Sequence, residues 1–349
     1  MKRRLAWAIL FCSVAAAHAA TPLITTEPAI DSPKVLNWPL DTAAGVPDLT
    51  EPTANRLYDL HGVFRNCESI DLILSTPGNY HMALRELFQD VLLPNNSEKI
   101  QTWYYSTSPP IAPEQIANKT LTFGNLALNC VPEVAVGPKA ITDKIIALGA
   151  ADGPAVPFTR SRGNVILVKK GNPKRIHTVW DLARPNVTVV TPSPTGETGS
   201  FNSYRDSLYQ IALNDPNPPH GWTAERLFDA VYNSTREPEE KPKWVTGVRI
   251  HHREVPWSIA YGKADASIIL YHLALHAVRT FPYLYEIVPL GGTVENPMPL
   301  PGNLIATQYY IPVRGNWTTR QYDARTALIN TLQSAEFTTI LKHHGLQRP

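Results

Sequence analysis

Charge is scarce in this sequence. Asp, Glu, Lys and Arg together make up 18% of its 349 residues, and the net charge is only +2. So even a balance offers no basic surface for nucleic acid. An apolar content of 43% excludes a disordered chain. Cysteine is also scarce, at three residues, too few for a small disulfide-dense scaffold. Beyond the first 20 residues no apolar run approaches the ~18 residues of a membrane span. Collagen, coiled-coil and low-complexity compositions are absent, as are short-period repeats. No Gly-x-Ser-x-Gly nucleophile elbow occurs. No Gly-Lys-Ser/Thr ending of a P-loop and no H-E-x-x-H zinc motif occur either.

What is present begins with proline. The 32 prolines are about 9% of the chain, against a usual ~5%, so stiff turns and few long helices are expected. The length suffices for one large core or two medium ones. MKRRLAWAILFCSVAAAHAA opens the chain with a basic Lys2-Arg3-Arg4 start, an apolar Leu5–Val14 run and small residues around Ala17-His18-Ala19. Residues 1–19 therefore read as a secretory signal. A lipoprotein reading through Cys12 is disfavoured by bulky Phe11 before it. Cleavage would leave Cys67 and Cys130, read as one disulfide in an oxidising compartment or, alternatively, as two buried thiols. The bond would close a loop of about 60 residues, worth ~4 kcal/mol on the chain-entropy model. Two cysteines at this separation do not resemble a zinc site.

Residues 20–55 are rich in Pro, Thr, Asp and Ala, and 20–68 read as an extended N-terminal arm, with order expected to begin near Ser69. Strand-turn-helix units then repeat. IDLILS (70–75) reads as a buried strand, TPGNY as a break, and HMALRELFQDVL (81–92) as an amphipathic helix. IQTWYYS (100–106) is a strand before a helix at 112–119; LTFGNLALN (121–129) is expected to be a single strand, and 141–150 a helix. Strands are expected at 163–173 and 186–194, with a short helix at 178–185 between them. Helices are expected at 201–213 and 224–235, strands at 264–270 and 285–290, and helices again over 324–345. This alternation predicts an α/β fold with mostly parallel sheets.

Three strand-to-helix turns are rich in small hydroxylated residues: Ser75-Thr76-Pro77-Gly78-Asn79, Ser106-Thr107-Ser108, and Ser193 to Ser200. Ligands of parallel α/β sheets bind beyond the carboxyl ends of strands. Helix N-termini there offer unpaired N–H groups and a positive dipole end, and glycine and hydroxyls let an anion come close. The plain alternative for each turn is ordinary N-capping by Ser and Thr. His272 and His276 have helical i, i+4 spacing, whereas His251-His252 and His343-His344 are adjacent pairs whose members do not share a helix or strand face. No metal site and no cofactor are expected.

The stretch GNVILVKKGNPKRIHTVWDLARPNVTVVTPSPTGETGSFNSYRDSL (163–208) resembles the second lobe of periplasmic solute-binding proteins of ABC transporters, in the molybdate- and sulfate-binding branch. Gly171-Asn172-Pro173, Asp181-Leu182, Pro185, Pro192, Pro194 and Gly199 match its pattern. YGKADASIILY (261–271), IDLILSTPGNYHMAL and YSTSPPIAPEQI resemble further segments of that family. The resemblance implies a two-lobed type II periplasmic-binding-protein fold, with mixed, mostly parallel sheets flanked by helices and a cleft between the lobes. Lobe 1 would hold residues 69–158 and 268–349, and lobe 2 residues 159–267.

It further implies ligand contacts at Ser75 or Thr76, at Ser106 or Ser108, and at Thr195, Thr198 and Gly199. Tyr271 would match a family tyrosine, although its spacing is one residue longer. Glu197 would repel a dianion if it faced the cleft. Arg160 and Arg162 could supply countercharge or form a solvated surface pair. The implied protein is a periplasmic monomer and not an enzyme. It would capture a tetrahedral oxyanion such as molybdate, tungstate or sulfate and deliver it to a membrane permease. The alternatives are a small organic acid clamped by Arg160 or Arg162, or a secreted α/β enzyme.

Overall fold

The computed structural model describes residues 34–35, 59–63, 69–108, 110–123, 126–128, 130–233, 243–247 and 250–349. The expected signal at 1–19, most of the 20–68 arm and Cys67 lie outside the described residues. Two short pieces of the arm segment are strands, β1 (Lys34–Val35) and β2 (Asp59–Val63).

Next come β3 (Leu72–Ser75), α1 (His81–Glu86), α2 (Leu93–Asn95), β4 (Trp103–Ser108), α3 (Pro113–Asn118), β5 (Leu121–Phe123), β6 (Leu126–Leu128), β7 (Val134–Gly137), α4 (Lys139–Ala147) and β8 (Val156–Arg160). The middle of the chain forms β9 (Asn164–Lys169), β10 (Val189–Val190), α5 (Thr198–Leu213), α6 (Ala224–Tyr232), β11 (Trp244–Thr246), α7 (His251–Ala260), β12 (Ala266–Leu270), α8 (Tyr271–Thr280) and β13 (Tyr285–Val288). The last elements are β14 (Thr307–Pro312), α9 (Thr319–Gln333) and α10 (Ala335–His343).

The strands build two six-stranded sheets. One runs β1-β11-β10-β12-β9-β13 and the other β2-β4-β3-β7-β14-β8. Both are mixed, but antiparallel pairs are as frequent as parallel ones, so "mostly parallel" is corrected. The crossing points also differ from expectation. The chain does leave the second sheet after β8 at Arg160. Yet residue 268 lies inside β12, which pairs with β9 in the first sheet, as does β13. Only at β14 does the chain rejoin the second sheet. The Gly-x-Ala-Asp segment thus leads into β12 and then, through α8, to β13 on the other side of β9 in the same sheet, rather than back to the second sheet. LTFGNLALN likewise holds two antiparallel strands, β5 and β6, rather than one. Order does not wait for Ser69, since β2 already pairs with β4.

Local chemistry explains several elements. In β3 every side chain is buried, as befits a strand covered on both faces. Leu72 and Leu74 pack on one side with Phe88, Leu328 and Phe337, and Ile73 on the other with Ile116 and Ile145, following the two-residue alternation of a strand. Between α1 and α2 the helix widens into a π turn over Leu87–Leu92, where the Leu93 N–H reaches the Phe88 carbonyl. Pro94 follows directly; it has no N–H and its ring crowds the carbonyl four residues back. A separate apolar core surrounds the first sheet, and Met82 of α1 is part of it. The first helix of one sheet therefore packs into the core of the other. Among the described residues no helix is long and apolar enough to cross a membrane.

Candidate functional site

Strand pairing brings the first two turns together. Ser75 and Ser106 are register partners on adjacent parallel strands. Both are buried, at 1% and 0% exposure. The Thr76 N–H donates to the Ser106 carbonyl at 2.9 Å, and the Thr76 hydroxyl donates to the Pro77 carbonyl at 3.3 Å. The Ser75 hydroxyl accepts the Ile111 N–H at 2.8 Å. That uses one lone pair and leaves its O–H as a donor. Ser108 closes β4 opposite Asp59.

The third turn joins β10 to α5. Ser193 is buried. Its carbonyl accepts the Glu197 N–H at 2.9 Å, and its hydroxyl accepts the Gly196 N–H at 3.0 Å and lies 3.3 Å from the Thr195 hydroxyl. The Thr198 hydroxyl donates to the Pro194 carbonyl at 2.9 Å. Thr195, Thr198 and Gly199 are exposed. A Cβ added at Gly199 would meet nothing within 4 Å. Nothing in the chain's own packing therefore demands glycine there.

Glu197 occupies the N-cap position of α5, yet its side chain caps nothing there. Its carboxylate turns instead to α7, accepting the His251 N–H at 2.9 Å and His251 Nδ1 at 2.8 Å. Burial alone would raise the Glu197 pKa. The His251 charge and hydrogen bond, with His252 beyond, outweigh that and hold it below the usual carboxylate range. The Tyr204 hydroxyl lies 3.1 Å from His251 Nε2, closing a Glu197–His251–Tyr204 chain. The acid of the third turn is thus held by α7, and the first turn of α5 is left without a side-chain cap.

The turn after β3 meets this region. His81 stacks on His252 at 4.5 Å and stands edge-on to His276 at 6.0 Å. Tyr80 stacks on His272 at 5.3 Å. His272 is fully buried, and desolvation pulls its pKa down to about 3, so it is neutral. Its Nε2–H donates to the Asn79 carbonyl at 2.6 Å. The first and third turns are hence linked through His81, His252, His251 and Glu197. Sequence reasoning missed this histidine seam; adjacency and i, i+4 spacing were its visible signals.

Arg160, Arg162 and Tyr271 lie in another group. The backbone of Arg160 pairs both ways with Gln347, at 2.8 and 3.1 Å. Arg162 donates to Asn296 Oδ1 at 3.1 Å and to the Pro297 carbonyl at 3.3 Å, with its guanidinium 5.9 Å from the centre of the Tyr271 ring. The Tyr271 hydroxyl donates to the Val294 carbonyl at 2.8 Å. Two further links cross the chain between β8 and β14. Asn164 N–H donates to Asn303 Oδ1 at 2.8 Å, with Asn303 Nδ2 returning to the Asn164 carbonyl at 2.9 Å. The Ser161 N–H donates to the Ala306 carbonyl at 2.8 Å. These buried asparagines carried no sequence signal.

An 80-residue stretch is 50% identical to the sulfate-binding protein of Escherichia coli K12, covering 23% of each chain. A 50-residue stretch is 50% identical to the sulfate-binding protein of Salmonella typhimurium, covering 14% of this chain and 15% of that one. The chain therefore spans about a quarter or less of these curated relatives. The binding protein AgtB of A. tumefaciens R10, solved with agropinic acid, superposes with a TM-score of 0.52 at 12% identity, over 80% of this chain and 83% of that one. L-phospholactate-bound PEB3 superposes with a TM-score of 0.50 at 16% identity, over 80% of this chain and all of that one. These likenesses establish a shared fold. The family model described as bacterial extracellular solute-binding protein, a family of transport binding proteins rather than enzymes, matches residues 129–347, and the chain belongs to that family.

Proposed function

We propose that this protein captures a small anion, first of all a tetrahedral oxyanion of the sulfate, molybdate and tungstate class, and delivers it to an ABC permease in the bacterial envelope. One observation carries the reading. The N-terminus of α5 lacks a side-chain cap, because Glu197 is committed to His251, and Gly199 beside it faces open space. Peptide N–H groups and the helix dipole there favour an anion. Ser75 adds a hydroxyl donor from the first turn. Each hydrogen bond to a charged group contributes ~1.5–3 kcal/mol. About five of them total ~7.5–15 kcal/mol, a range that spans the ~8 kcal/mol of a micromolar complex. The sulfate named in the curated relatives points the same way.

In this reading residues 59–160 and 307–349 form one lobe and residues 161–306 the other, hinged where Ser161–Asn164 pairs with Asn303–Ala306. A cleaved leader at 1–19 and a Cys67–Cys130 bond complete it. The test is thermal unfolding of the mature protein with sulfate, molybdate, tungstate, phosphate and small carboxylates. At about a hundred times Kd, ligation adds ~2.7 kcal/mol, a rise on the order of 5 °C. An oxyanion giving that rise supports the reading. Stabilisation by carboxylates alone transfers the site to an organic acid, and stabilisation by none removes it.

A further inference from the structure

The two histidines at the end of α10 do something their adjacency argues against. The helix ends at His343, and His344 leaves helical geometry with φ −86° and ψ 11°. Gly345 then turns the chain with φ +75°. The break swings both rings to one side, with centroids 4.8 Å apart. Both rings face the last residue of α1. His343 Nδ1 lies 3.1 Å and His344 Nε2 2.7 Å from Glu86 Oε2. One ligand atom from each of the three residues lies within 4.8 Å of the other two. The side chains of Glu86 and His344 are 28% and 15% exposed, so the cluster is accessible yet held by the fold. Arg279 of α8 donates to the His343 carbonyl, which pins the backbone that carries the rings.

We propose that Glu86, His343 and His344 form a binding site for a divalent transition-metal ion of the zinc class, separate from the solute site. Two imidazoles and one carboxylate are a donor set for such ions rather than for calcium or magnesium. Ligands held ~2.0–2.1 Å from one tetrahedral zinc stand roughly 3.3 Å apart. Glu86 Oε2 already sits near that spacing from both nitrogens, and with all three atoms within 4.8 Å of one another, the two imidazole nitrogens need to close by at most ~1.5 Å to complete the set. Three protein ligands leave the fourth position to water. The ligands come from residues 86 and 343–344, so the ion would tie α1 to the C-terminal end of the chain and stabilise that junction.

The experiment is calorimetric titration of tag-free, EDTA-treated mature protein with zinc chloride, the chloride keeping sulfate out of the cell. Wild type should bind one zinc per chain at micromolar Kd or tighter. Glu86→Gln and His344→Ala should each weaken binding by about tenfold or more, as expected for the loss of one ligand of three. Circular dichroism melting identifies any variant that fails to fold, and His343→Ala, at the most exposed ligand, then carries the test. No zinc binding by wild type, or full retention in all three variants, overturns the site. So does binding lost only on His252→Ala or His276→Ala, which would place the ion at the histidine seam.

Discussion

Replacing Gly199 by alanine separates the needs of the fold from those of the solute. Gly199 is the second residue of α5, and a helical Cβ tilts toward the helix N-terminus. The added methyl would meet no protein atom within 4 Å. In the unliganded protein alanine should therefore be neutral or stabilising, by up to ~0.5–1 kcal/mol. With an anion docked on the first-turn amides, the same methyl stands in its path. Displacing the anion from one or two N–H donors costs ~2–4 kcal/mol, equivalent to a roughly 30- to 1000-fold rise in Kd. Calorimetric titration with the best anion of the panel, paired with unliganded melting curves, reads both quantities. A Kd within about twofold of wild type would refute docking at this turn. A large drop in unliganded stability would refute the open space.

Three other perturbations address the surroundings. Glu197→Ala leaves His251 without its carboxylate in a buried setting and should cost about 3 kcal/mol at neutral pH in denaturant unfolding. Because the native Glu197 pKa lies below its ordinary value, this contribution is present above the carboxylate range, and the gap to wild type should close as pH falls through the depressed pKa. Glu133 is fully buried with its pKa pushed up to about 8 by desolvation. The native state then holds a proton that the unfolded chain releases near 4.5, so stability should fall as pH rises from 4.5 to 8. Glu133→Gln should remove that slope, an effect on the order of a few kcal/mol. His272, at about 3, works in the opposite sense: the unfolded chain takes up a proton below 6.5 and the native one does not, so acidification from 6.5 toward 3 should destabilise wild type more than His272→Gln.

The strand-turn-helix units β3–α1, β4–α3 and β10–α5 were legible because apolar runs, proline breaks and helical spacing follow one another there without interruption. The strand β7 was not, since buried Glu133 stands directly before it and only its four residues carry the pattern. Helix α7 was hidden by its own composition: His251, His252, Arg253 and Glu254 read as surface, and Pro256 reads as a break. All are buried because the helix sits where the two sheets' layers meet, a tertiary effect that local periodicity does not encode. The hydroxylated turns were visible as candidates. That Glu197 would be spent on α7, that the Tyr271 hydroxyl would be taken by Val294, and that His343 and His344 would converge all depend on contacts distant in sequence. Sheet membership of β12 and β13 was likewise set by pairing with β9 rather than by their own residues.

The most direct measurement is the amide proton shift of each backbone N–H on titration of isotopically labelled protein with molybdate or sulfate. The account predicts saturable downfield shifts at Thr198, Gly199 and Ser200 and in the turn after Ser75. Saturable binding whose shifts cluster around Arg160, Arg162 and the 294–297 loop, leaving the start of α5 unmoved, would contradict it.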